Sequence, residues 1–137
     1  MRRADWHKNG SNATLTEKRS APMTMAPKPR IALLAAPETT PSVLFGLYDV
    51  LISVGAVYPD MTGRQVGEPL LDVQIVAADA QPFRCFGNIL IEPHAAIGSL
   101  DRVDAAVVCD MYTPIDTAPR GRYAAEIDWL RRMHAQG

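Results

Sequence analysis

The chain has 137 residues, 47% of them apolar and 21% charged, with a formal net charge of −1. A chain of this length buries well over half of its unfolded surface, so one globular domain is expected and a second is not. The near-neutral total hides an asymmetry that argues against a nucleic-acid surface: residues 1–30 carry seven Lys/Arg against two acids, the remainder seven against thirteen.

The opening "MRRADWHKNGSNATLTEKRSAPMTMAPKPR" is polar, basic and proline-bearing, and reads as a disordered leader over residues 1–29. It lacks the apolar core of a secretory signal, and no run of about 18 apolar residues occurs, so no membrane segment is expected and the location is read as cytoplasmic. "RIALLAAP" follows as a strand buried on both faces. "TTPSVLFGLYDVLISVG" then has helical periodicity, with Thr40 as the capping hydroxyl, Pro41 at the first helical position and Gly55 as the stop. Val43, Leu44, Leu47, Val50, Leu51 and Val54 form the stripe expected to face a sheet, and Gly46 within it implies close helix packing.

Residues 56–69 read as a loop that needs no helix, and "LLDVQIVA" as a second strand with Leu71, Val73 and Ile75 on one face. The Gly-Asn pair in "PFRCFGNILIEP" predicts a hairpin with a primed turn. "DAAVVCD" is the next buried strand, and "RGRYAAEIDWLRRMHAQG" a helix with Tyr123, Ile127, Leu130 and His134 along one face. This order predicts an α/β fold with a mainly parallel sheet.

The stretch from Arg30 to Gly137 resembles the first half of the ThiJ/PfpI family, of the class I glutamine amidotransferase-like fold, and is most similar to the sensor domains of AraC-type transcriptional regulators. The residues that carry the resemblance are "IALLAAPETTPSVLFGLYDVL", ending in the acid-Val pair Asp49-Val50, then "LLDVQIVAADAQPFRCFGNILIEPHAAI" and "DAAVVCDM". The resemblance implies a three-layer, flavodoxin-like architecture that is incomplete at its C-terminal end. The family's nucleophilic cysteine lies on a turn after a further strand, beyond "WLRRMHAQG", so no catalytic residue is implied here. Cys109 takes the place of a family Pro, and Asp110 and Met111 replace the two glycines that follow it.

Ligands of open α/β sheets bind outside the carboxyl ends of the strands, which favours Asp110 and Met111, together with Glu38 and Thr39 of the loop after the first strand, as ligand-binding candidates. A solvated loop acid is the competing reading of Glu38. Cys109 also stands there, but a thiolate is disfavoured beside Asp110, so a small buried sheet residue is expected. Cys85, beside Arg84, is read as structural. Two cysteines make neither a disulfide framework nor a metal-ligand set, and His94 and His134 are too isolated for a metal. "APETTP" offers no glycine-rich phosphate loop, so no cofactor is expected. Arg120 and Arg122 can hold an anion at the start of the last helix or serve as surface charges.

The function implied is that of a ligand-sensing domain fragment of an AraC-type regulator, with a small molecule as partner and without its DNA-binding region. A fragment of a ThiJ/PfpI-type hydrolase or amidotransferase-like enzyme is the alternative, and a small flavodoxin-like binding module a third reading. Lacking a parallel neighbour, "DAAVVCD" would expose unpaired backbone groups, so the chain is expected to form a homodimer through that edge or to aggregate.

Overall fold

The computed structural model of the chain describes residues 27–63, 67–116, 118 and 120–137; residues 1–26 of the expected leader lie outside the described residues. Strand β1 (Arg30–Leu34) is the centre of the domain, since it pairs in parallel with both β2 (Asp72–Ala77) and β6 (Ala105–Val108). A two-residue strand β5 (Ala95–Ala96) adds to the far side of β2, giving an all-parallel four-stranded sheet of order β5-β2-β1-β6. A central parallel strand is covered on both faces, which is why "IALL" is continuously apolar instead of alternating.

The pleat divides that apolar run between two layers. Ala32 and Leu34 join Val76, Leu100, Trp129 and Met133 on one face, under helix α3 (Ala124–Ala135). Leu33 joins Val73, Ile75, Leu44 and Ile91 on the other, under helix α1 (Pro41–Ile52) and the β3/β4 hairpin. Helix, sheet and helix make the three layers of an α/β flavodoxin-like fold, as the order of elements predicts.

Helix α1 begins at Pro41, but Thr40 makes no side-chain cap; its hydroxyl turns to Asp110 instead. The expected stripe is also rotated. Leu44 alone is fully buried, Leu47, Tyr48, Leu51 and Ile52 pack around it, and Val50 is 67% exposed. Gly46 is exposed, and a methyl group at its Cα would meet nothing within 4 Å, so no close packing accounts for it. Gly46→Ala should therefore stabilise the protein by about 0.5–1 kcal/mol, read as a higher urea midpoint.

Between α1 and β2 the chain forms a short helix α2 (Val57–Met61), where sequence pattern predicts loop alone. Gly55 closes this region with φ of 83°, and the Leu70 side chain lies so near that a Cβ would sit 2.4 Å from it. The hairpin pairs β3 (Phe83–Arg84) with β4 (Leu90–Ile91) as a separate two-stranded sheet. Gly87 and Asn88 both have positive φ, as a primed turn requires, yet Cys85 N–H donates to the Ile89 carbonyl and Asn88 N–H to that of Cys85. The loop is thus three residues long, not two.

In α3 the buried positions are Trp129 and Met133, with Leu130 partly covered, while Ile127 is 43% exposed and His134 is exposed. The predicted face is therefore turned by part of a helical step. His94 is structural: its ring Nδ1 accepts from Ile75 N–H at 2.8 Å and its backbone N–H donates to the Ile75 carbonyl at 2.8 Å, which extends the pairing on that side of β2. Among the described residues no cluster of His, Cys, Asp and Glu could hold a metal, and no helix is long and apolar enough to cross a membrane.

Candidate functional site

The sheet changes direction of growth at β1: the chain moves from β1 to β2 on one side and places β6 on the other. Loops leaving the carboxyl ends of β1 and β6 therefore stand over the sheet at its switch point, where ligands of such folds sit. Glu38 and Thr39 lie on the first loop, Asp110 and Met111 on the second, so the fold brings all four predicted residues together.

The first loop is a tight turn closed at both ends. Thr39 N–H donates to the Ala36 carbonyl at 2.9 Å, and the Thr39 hydroxyl accepts from Ala36 N–H at 2.8 Å. Thr39 is 0% exposed. Its hydroxyl is thereby committed to satisfying a buried amide, which a loop passing over a sheet must do somewhere.

The two loops then lock to one another. Thr39 and Met111 form an antiparallel bridge, bracketed by Thr40 N–H donating to the Asp110 carbonyl and Tyr112 N–H to that of Glu38, both at 2.8 Å. The Thr40 hydroxyl adds a 2.9 Å bond to the Asp110 carboxylate. Tyr112 stacks on Phe86 of the hairpin with ring centroids 4.8 Å apart, which ties a third segment to the same end of the sheet.

The charge of the site is paired. The Glu38 side chain is only 11% exposed and bonds to the Arg122 guanidinium, which comes from the turn before α3. Arg122 thus neutralises a half-enclosed carboxylate of the protein itself instead of waiting for an external anion, one of the two roles open to it in the sequence. Tyr123 stands beside the pair, and burial first and the Glu38 carboxylate second push its phenol above the ordinary range.

Neither thiol is activated. Cys109 is 3% exposed and Cys85 5%, and burial pushes both above the usual thiol value. No cation offsets that burial at Cys109, so the thiol form is held and nucleophilic attack is disfavoured. Asp49 is exposed, and its carbonyl accepts both the N–H and the hydroxyl of Ser53.

The open spaces lie to either side of the locked loops. A cavity of about 140 Å³ over the ends of β1 and β2 is lined by Ala36, Pro37, Asp79, Phe83 and Glu126. A more apolar groove of about 220 Å³ lies between β6 and α3, with Met111, Tyr123 and Glu126 at its rim. Glu126 reaches both spaces. Thr40, Tyr112, Arg122 and Tyr123 complete a site of which the sequence pointed to four members.

Thr39→Val tests how much the turn depends on its hydroxyl. The change keeps the shape but orphans the Ala36 amide, so a loss of about 1–3 kcal/mol is expected in urea unfolding. A loss below about 0.5 kcal/mol would show that the amide finds another partner.

No protein-family model matches this chain, and no curated protein does. Among solved structures, the chain is similar to one described as "a putative transcriptional regulator protein from Vibrio parahaemolyticus", with a TM-score of 0.56 at 19% sequence identity. The match covers 81% of this chain and 53% of that one, so the chain spans about half the length of its structural relative. What the two share is the fold: a parallel α/β sheet layered between helices.

Proposed function

We propose that this segment is part of the ligand-sensing domain of a transcriptional regulator of AraC type, and that it binds a small molecule without chemically transforming it. The observation that carries the reading is the locked switch point. Two loops with polar side chains are bonded to one another where a ligand would sit, and the one thiol at that position is buried, which pushes its pKa up.

Such a site is preorganised for recognition but lacks the activated nucleophile that acyl transfer or amide hydrolysis requires. The hydrolase alternative would need a low-pKa cysteine in an electropositive pocket, and neither Cys85 nor Cys109 has that environment. The fold likeness to a regulator and the resemblance to AraC-type sensor domains support the sensing role. On this reading the polar contacts to a ligand come from Glu38 and Asp110, the apolar contact from Met111, and Thr39 holds the loop that presents them. DNA contact belongs to a separate region, because the acidic body after residue 30 repels phosphates.

A thermal-shift screen of small metabolites, followed by calorimetric titration of the best compound, tests this reading. Saturable binding that weakens at least tenfold in Glu38→Gln or Asp110→Asn is the expected result. Turnover of a bound compound, lost on replacing Cys109 with serine, would overturn it.

A further inference from the structure

On the side of the sheet away from β6, a histidine ring takes the place of a strand carbonyl. Ala35 N–H donates to the Val76 carbonyl on the β1 side, so by alternation Ile75 turns its N–H and C=O to the opposite side of β2. Strand β5 is two residues long and pairs with Val76 and Ala77 alone. The Ile75 groups fall just outside that pairing, and His94 holds both of them, one through ring Nδ1 and one through its backbone N–H, each at 2.8 Å. Ile75 is buried, whereas His94 is exposed and open to protons from solvent.

The ring bond fixes where the imidazole carries its proton. A neutral ring has one donor and one acceptor nitrogen, so accepting at Nδ1 places the single proton on Nε2. A second proton can enter only at Nδ1. There it replaces the lone pair that holds Ile75 and sets two N–H groups against each other.

No neighbouring charge offsets that conflict. From α1 the Tyr48 ring faces His94, with centroids 5.5 Å apart and planes tilted by 30°. On β2 the adjacent Gln74 is uncharged, and Asp72 is already bonded to Arg30. On the segment leading into β5, Glu92 is exposed, and among the described residues no carboxylate pairs with the His94 ring to hold an imidazolium in place.

We propose that His94 is an acid-released latch: the neutral ring fastens the start of β5 to β2, and protonation swings the ring out to solvent and frees β5. The effect reaches the end of the sheet where the ligand loops stand. Ala77, which β5 pairs through Ala96, lines the cavity of about 140 Å³ together with Ala78 and Asp79, so release of β5 loosens one wall of that cavity.

Amide exchange of the full chain tests the proposal, followed by NMR at about pH 8 and about pH 5.5, either side of the ordinary histidine range, and corrected for intrinsic rates. Protection of the Ile75 and Ala77 amides should fall about tenfold or more at the lower pH, while that of Val76, which faces β1, should stay within about twofold. His94→Asn sets an amide oxygen that takes no proton where Nδ1 stands, and should keep Ile75 protected at both pH values. In the wild-type protein at the higher pH, ring nitrogen shifts should place the proton on Nε2, a readout that needs no variant to fold. A proton on Nδ1 at that pH, protection of either amide that pH leaves unchanged, or an equally steep loss in His94→Asn would overturn the proposal.

Discussion

Trp129→Ala is expected to destabilise the domain by about 3–5 kcal/mol, the range for removing a large aromatic side chain from a packed interior. Trp129 is 0% exposed and stands in the layer under α3, against Ala32 and Leu34 of β1, Val76 of β2 and the segment holding Ile97 and Leu100. One side chain thus joins α3 to the sheet, and with Met133 it is one of two buried residues of that helix. Its Nε1–H is buried without a hydrogen-bond partner. Trp129→Phe removes that unpaired donor along with part of the ring, so it should cost less than half as much as the alanine change. Urea midpoints of the two variants decide the matter, and equal losses would mean that the indole N–H has an acceptor.

Leu44→Ala should cost about 2–5 kcal/mol, because Leu44 is the single fully buried residue of α1 and holds that helix to Leu33, Val73 and Ile75. Val50→Ala, on the same helix but 67% exposed, should change stability by no more than about 0.5 kcal/mol. The sequence stripe assigns both residues to the buried face, so the pair separates the two helix rotations. A loss above about 1.5 kcal/mol at Val50 would return α1 to the rotation read from periodicity.

These two helices show where sequence pattern runs out. In α1 nearly every position is apolar, and the set Val43, Leu47, Val50 and Val54 fits helical spacing as well as the buried set around Leu44 does. Tyr48 lies on the packed side, though its hydroxyl makes it a weak core signal. In α3 one bulky residue, Trp129, decides the rotation against the smaller Ile127. The central strands were legible because burial on both faces writes a continuous apolar run. Strand β5 was not, since two alanines carry no pattern and the strand exists only because β2 supplies its partners, with the neighbouring His94 bonded to the same strand.

The candidate site was legible in part for a topological reason. Position at the carboxyl ends of β1 and β6 follows from the order of elements, which brought Glu38, Thr39, Asp110 and Met111 into view. The bonds that lock the site join residues about 70 positions apart, such as Thr40 with Asp110. The Glu38–Arg122 pair spans 84. No local motif encodes such contacts, and the capping hydroxyl predicted at Thr40 was diverted into one of them.

The reading of this domain as a sensor rests on a switch point without an activated thiol, and the alkylation rate of Cys109 in the native protein tests it most directly. Timed labelling with iodoacetamide at pH 7 to 9, read out by mass of the Cys109 peptide, should show protection in the folded chain and rapid labelling in guanidinium. Labelling of the folded chain as fast as a free thiol, with a midpoint below the ordinary thiol pKa, would contradict it and return Cys109 to the role of nucleophile.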